Sequence, residues 1–301
     1  MFKLKRTIDE DDFPIVVSFS GGETSADMVL RVWKKYNGKR KIVIVFANTG
    51  EEHEATLTFV LMITLKYKIP IVWLEAIVDP EYGKGIKHRV TDYYKAKRRG
   101  NLDTPMELLI KKLGIPNKDN HHCTRDLKQR PIEHYLKSIG IKEHHMLVGI
   151  RKDEPTRLTS SVLFYEPAIQ GLTKKDINFA WKKRPFRLRL KGYQGNCRAC
   201  HKKTLRKLLT IAVESPEDFD FNERMEKENG NYINPKRKQI AEAKGLVIHL
   251  PIKFYRENKS VSDIKEMAKN FTDLYHDENK EYNEILDVPG GGCSESCKPF
   301  K

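Results

Sequence analysis

Four short apolar runs rich in β-branched residues, separated by stretches of helical periodicity, constrain this chain more than anything else in its sequence. Residues 13–19, 41–47, 71–76 and 145–148 read as buried strands. Between them, residues 26–36 carry Met28, Val29, Val32 and Trp33 at helical spacing and stop at Asn37-Gly38; residues 52–67 and Arg130–Ser138 also read as helices. Strands alternating with helices imply a parallel sheet covered on both faces. The expected fold is therefore α/β, a doubly wound and mainly parallel sheet. Beyond about residue 160 the alternation fades into short helical patterns at 204–213, 215–229, 234–244 and 260–275. The expected division is a nucleotide-binding α/β unit over 1–165 and, over 166–301, a Cys-x2-Cys segment with a helical C-terminal region and a cysteine tail.

Composition narrows the setting. The chain has 301 residues, 39% of them apolar, enough for a sizeable core. Its longest uncharged apolar stretch, around Ala55–Leu65, is short of the ~18–20 residues of a membrane span. The segment Met1-Phe2-Lys3-Leu4-Lys5-Arg6 lacks the apolar core of a secretory signal, so a cytoplasmic location is expected, with no membrane partner. The net charge of +15 invites a polyanion, either nucleic acid or a phosphate-rich substrate.

The turn after the first strand carries the first chemistry. Ser18-Phe-Ser20-Gly21-Gly22-Glu23-Thr24-Ser25 joins a buried strand to a helix N-terminus. Glycines allow a sharp turn and close approach of a ligand, the first-turn N–H groups favour an anion, and three hydroxyls add donors. The pattern is neither a Walker P-loop nor a dinucleotide-binding fingerprint.

Here the sequence resembles the PP-loop of the adenine nucleotide alpha-hydrolase-like superfamily, and within it the phosphoadenosine phosphosulfate (PAPS) reductase family and its ATP-pyrophosphatase relatives. Three further segments match in order: Ala47-Asn48-Thr49-Gly50-Glu51, Cys123-Thr124-x-x-Leu127-Lys128-x-x-Pro131, and Gly149-Ile150-Arg151-x-x-Glu154-x-x-Arg157. The resemblance covers roughly residues 13–160. It implies an adenine nucleotide, ATP or PAPS, bound with Mg2+ by Ser18, Ser20, Gly21, Gly22, Thr24 and Ser25. Asn48 and Thr49 are expected at the sugar or base. Gly149, Arg151 and Arg157, with Lys128 as a catalytic cation, are expected at phosphate or sulfate, with Glu154 orienting an arginine.

The five cysteines suit metal binding or catalysis. Cys197-Arg-Ala-Cys200 has ligand spacing for Zn2+ or an iron–sulfur cluster. The expectation is a [4Fe–4S] cluster on Cys123, Cys197, Cys200 and one tail cysteine, Cys293, with zinc as the alternative. His121, His122 and His201 flank these cysteines as substitute ligands. PAPS reductases carry a nucleophilic cysteine in a C-terminal Glu-Cys-Gly-Leu/Ile-His motif. This chain has Cys293-Ser-Glu-Ser-Cys297 after Gly290-Gly291-Gly292, and His122-Cys123 where cluster-binding reductases show adjacent cysteines. Cys293 and Cys297 are the candidate nucleophiles.

Three functions remain open. One is adenylation of an acceptor oxygen with release of pyrophosphate, followed by sulfur transfer onto tRNA or DNA, as relatives of this type do. The second is reduction of PAPS or adenylyl sulfate to sulfite. The third is a non-catalytic nucleotide- or nucleic-acid-binding module with a structural zinc. Both enzymatic readings need an electron or sulfur donor. Between Ile177 and Val213 there are eleven Lys and Arg and no acid, against +8 over residues 1–176 and −4 over 214–301. This basic segment, 181–207, surrounds Cys197 and Cys200 and interleaves Trp181, Phe186 and Tyr193, which are expected to stack on nucleic-acid bases.

Overall fold

The computed structural model describes residues 8–158, 163–195 and 197–276. Six strands form one sheet: β1 (Ile15–Phe19), β2 (Ile42–Asn48), β3 (Ile71–Val78), β4 (Ile86–Thr91), β5 (His145–Val148) and β6 (Leu163–Phe164), in the order β4-β3-β2-β1-β5-β6. β1 runs parallel to β2 and β5, with Ile15 opposite both Ile42 and His145. Only β4 is antiparallel, pairing with β3 at the edge. The expected doubly wound, mainly parallel sheet is what the chain forms.

Strand alternation assigns the two faces. Ile15, Val17, Phe19, Ile44 and Phe46 pack with Val29 and Val32 of α1 (Glu23–Tyr36) and Phe59 and Val60 of α2 (Glu54–Tyr67). Val16, Val43, Val45 and Met146 face the other way, onto Ile132 and Leu136 of the helix Arg130–Ser138. α3 (Pro105–Leu113) precedes that helix, which is α4. Thr104 caps α3 by accepting the Glu107 N–H at 3.2 Å, and Pro105 occupies its first turn, where no N–H is needed.

The C-terminal half comprises α5 (Glu166–Ile169), α6 (Lys174–Lys182), α7 (Leu205–Glu214), α8 (Asp220–Asn229), α9 (Pro235–Ala243) and α10 (Val261–Ala268). It is not packed apart from the sheet. α6 returns to α1 and buries Trp181 in the first core, while α7, α8 and α10 share a third core with α3 and with Ala76 and Val78 of β3.

Several elements depart from the sequence reading. β4 was not expected, because Lys87, His88 and Arg89 hide its strand pattern; the edge position leaves much of it facing water. α3 and α6 were also unforeseen, although the Thr173–Asp176 capping box marks the start of α6. The expected helix at 215–229 divides into a tight Pro216–Phe219 turn and α8, and the one at 260–275 ends at Ala268, before Asn270 and Thr272. Among the described residues, no helix is long and apolar enough to cross a membrane.

Candidate functional site

The order of the sheet puts its topological switch between β1 and β5, and in such sheets a ligand binds beyond the strand carboxyl ends. The Ser20–Ser25 turn leaves β1 at this point and the Gly149–Arg157 loop leaves β5. Ser20 and Ser25 exchange a 2.8 Å hydroxyl bond, the Ser20 N–H donates to Ser25 Oγ at 3.3 Å, and Ser25 Oγ donates to the Gly22 carbonyl at 2.9 Å. The loop is thus tied to itself. Gly21 adopts φ +80°, and a Cβ there would lie 2.5 Å from Thr56 of α2. A Cβ on Gly22 would meet nothing nearer than 3.8 Å, which leaves open space over the turn. Gly22 is also the N-cap of α1 and offers no capping side chain, so the first-turn N–H groups remain for an anion. Ser18 is half-buried within β1.

The loop from β5 closes onto this cradle. A Cβ on Gly149 would sit 2.8 Å from the Cα of Ser25, so only glycine allows the approach. Arg151 Nη1 donates to Thr24 Oγ1 at 3.2 Å, which places its guanidinium at the mouth of the turn. Glu154 accepts from the Arg151 N–H at 3.1 Å and pairs with Arg157 through its other oxygen. The carboxylate thus lies against both arginines, and Arg157 Nε is buried without a hydrogen-bond partner.

A second cluster lies at the end of β2. Cys123, Cys197 and Cys200 line one cavity together with Thr49, Glu51, Arg99, Lys128 and His201. The Cys-x2-Cys segment is fastened there by a backbone bridge between Glu52 and Cys197 and by Arg198 N–H donating to the Glu51 carbonyl at 3.2 Å. Thr49 Oγ1 donates to Glu52 at 2.8 Å. Cys123 begins the helix whose Arg125–Gln129 portion is π-helical, where Arg130 N–H reaches back to the Arg125 carbonyl. Pro131, which follows directly, has no N–H to give, and the wider turn accommodates it. Lys128 sits in that turn, facing the cavity.

Glu51 and Arg99 are the functional candidates that the sequence reading missed. Arg99 grips Glu51 Oε2 with two N–H groups, Nε at 3.0 Å, and gives Nη1 to the Asp218 carbonyl at 2.5 Å. Burial lifts the Glu51 carboxyl to about 7 although Arg99 pulls it down, and its Oε1 has no hydrogen-bond partner. Burial also holds His53 near 3, helped by Arg198.

Other expected residues have internal duties. Asn48 is fully buried and its amide donates to Glu75 Oε1 at 2.7 Å and to the Lys97 carbonyl at 2.8 Å. His122 is buried, with Nε2 3.0 Å from the Gly114 carbonyl, and burial lowers its pKa to about 4. Cys293 and Cys297 lie outside the described residues. Three thiols and an imidazole are the right donors for zinc or iron–sulfur chemistry. As arranged they do not form a single-ion site. Among the described residues no three His, Cys, Asp or Glu groups come close enough to hold one ion.

The basic segment 181–207 needs a correction. Trp181 is 0% exposed, donates Nε1–H to the Glu23 carbonyl at 2.9 Å and packs on Phe59 and Phe186; Tyr193 is buried as well. These rings serve the core and are not free to stack on bases. Among the described residues, five of its eleven cations are also paired within the chain: Arg184 with Asp27, Arg187 with Glu23, Lys191 with Glu214, Arg198 with Asp218 and Arg206 with Asp273.

Comparison with known proteins agrees with this geometry. The family model of the phosphoadenosine phosphosulfate reductase domain matches residues 14–166, which hold the Ser20–Ser25 turn, the end of β2 and the Gly149–Arg157 loop. The uncharacterized nin region protein ORF290 of Escherichia phage lambda is 30% identical over 291 residues, covering 95% of this chain and 94% of that protein. A match over half the chain, in the segment that builds the anion cradle, makes this protein a member of the phosphoadenosine phosphosulfate reductase family.

Proposed function

We propose that this protein is an adenine nucleotide-dependent sulfur-transfer enzyme whose acceptor is a nucleic acid. The observation that carries the reading is the cavity at the end of β2, where Cys123 meets the sequence-distant pair Cys197 and Cys200 beside Lys128 and Arg99, one strand away from the β1 anion cradle. ATP would place its phosphates on the Ser20–Ser25 turn and Arg151, with Mg2+ carried in by the nucleotide. An acceptor oxygen attacks the α-phosphorus and pyrophosphate leaves against the α1 N-terminus. A sulfane sulfur, passed from an external persulfide donor to one cavity cysteine and held there as a persulfide, then displaces AMP, joining acceptor and cysteine through a disulfide. A second cavity thiol attacks that disulfide, the thiolated acceptor departs, and an external dithiol reduces the cysteine pair left behind. Glu51, buried and half-titrated near neutrality, suits the proton transfers beside these thiols.

The domain match favours a second reading, reduction of PAPS. There a thiolate attacks the sulfur of PAPS and expels adenosine bisphosphate, and a second thiol releases sulfite by forming a disulfide. Incubation with labelled ATP or labelled PAPS separates the two. AMP and pyrophosphate formed only when RNA or DNA is added support the transfer reading, and sulfite from PAPS overturns it. Visible absorbance after anaerobic purification, lost in Cys197→Ala, would show that the thiols close around a cluster.

A further inference from the structure

Among the described residues, five of the eleven Lys and Arg in 181–207 pair with acids of this chain, and a second basic stretch lies outside that segment. Residues 84–99, β4 and the loop behind it, hold seven Lys and Arg and one acid, Asp92. β4 is the outer strand of the sheet. The Asp92 carboxylate is spent on its own turn, accepting the N–H groups of Tyr94 at 2.9 Å and Lys95 at 3.0 Å. Its side chain is also within 3.6 Å of Lys95 Nζ, an exposed pair of small worth.

This turn lifts one aromatic ring into water. Tyr94 is 82% exposed and stands edge-on to Tyr93 at 5.3 Å. Tyr93 is fixed in turn, donating its hydroxyl to Glu54 at 2.7 Å under the Arg98 guanidinium at 4.9 Å. Lys95 is exposed, and Lys97 Nζ donates to the neutral Leu102 carbonyl at 3.0 Å, a bond that leaves its charge uncompensated. Lys87 is exposed on β4. Arg89 and Arg98 pair with Glu75 and Glu54, Lys84 approaches Glu81 at 3.6 Å, and Asp103 beyond the loop faces Lys111 at 3.4 Å. At the end of the strip Arg99 turns inward onto Glu51, so the strip leads to the cysteine cavity.

We propose that this strip binds single-stranded nucleic acid, with Tyr94 stacking on an unpaired base and Lys87, Lys95 and Lys97 lying along the phosphates. A lone protruding ring needs a base whose face is open, which a duplex does not offer. Phosphates are the counter-charge that Lys87 and Lys97 lack among the described residues and that Lys95 finds only in an exposed pair with Asp92. The proposal rests on the reading above only in taking the acceptor to be a nucleic acid, and binding is measured without turnover.

Fluorescence anisotropy of the full chain with labelled oligo-dT and oligo-U, a matched duplex, and polyglutamate tests it. Tyr94→Ala is expected to weaken single-strand binding by roughly 5- to 150-fold with little change in salt dependence. Lys95→Glu with Lys97→Glu is expected to lower the salt slope by about 1.4, and Lys182→Glu with Lys183→Glu to leave binding unchanged. A difference between oligo-dT and oligo-U assigns the strand as DNA or RNA. Equal binding of duplex or polyglutamate, or indifference to Tyr94→Ala, overturns the proposal. Thermal unfolding of each variant, expected to match the wild type, separates lost binding from lost fold. Absence of nucleic-acid-dependent pyrophosphate release with intact oligonucleotide binding would count against the transfer reaction and not against this surface.

Discussion

Thr49 Oγ1 lies 3.7 Å from Cys197 Sγ, although 148 residues separate them in the chain. Thr49 follows directly on the last residue of β2, and Cys197 opens the Cys-x2-Cys segment, so the contact joins the sheet to the thiol-bearing half. The Glu52–Cys197 bridge repeats the joint in the backbone. The Ser20–Ser25 turn and the thiol cavity therefore stand at the ends of neighbouring strands of one sheet.

Gly149→Ala should damage the cradle first. The added Cβ would meet the Ser25 backbone at 2.8 Å, and neither the end of β5 nor the first turn of α1 can retreat without moving its neighbours. Isothermal titration with Mg-ATP is expected to show at least about tenfold weaker binding, the equivalent of ~1.4 kcal/mol. Unaltered affinity would mean that the two loops do not form one nucleotide site.

Glu51 gives the protein a pH signature. Its carboxyl moves from an ordinary 4.5 to about 7 on folding because burial disfavours the charge. The native state thus binds more protons than the unfolded chain across that window, and this group's contribution to stability falls as pH rises from 4.5 through about 7. Glu51→Gln removes the titration. Relative to that variant, the wild type should lose on the order of 3 kcal/mol between about pH 4 and about pH 8, read by urea denaturation. A difference that stays constant with pH would contradict the burial argument.

Trp181 is expected to act on stability alone. Trp181→Ala empties a fully buried site and should cost about 3–5 kcal/mol in chemical unfolding. Trp181→Phe, which keeps most of the volume, should leave oligonucleotide binding at the wild-type level. Weaker binding in a folded Trp181→Phe protein would restore a role for that ring in nucleic-acid recognition.

What the sequence revealed depends on how local each feature is. β1, β2, β3 and β5 are legible because strands buried on both faces are written as unbroken apolar runs. β4 is not, since an edge strand can carry Lys87, His88 and Arg89. The Ser20–Ser25 turn is legible because its glycines and hydroxyls are adjacent in the chain. The Glu51–Arg99 pair spans 48 residues, and no spacing rule connects them. Likewise the charge of segment 181–207 is plain in the sequence, but its partners Glu23, Asp27 and Asp218 come from other elements.

The central claim is that the nucleotide cradle and the thiol cavity are one site. The most direct measurement is the alkylation rate of Cys123, Cys197 and Cys200 by iodoacetamide, followed by peptide mass spectrometry, with and without saturating Mg-ATP. A shared site predicts that bound nucleotide changes the rate of at least one of these thiols about tenfold, and that Gly149→Ala abolishes the change. Identical rates at demonstrated nucleotide saturation would contradict it.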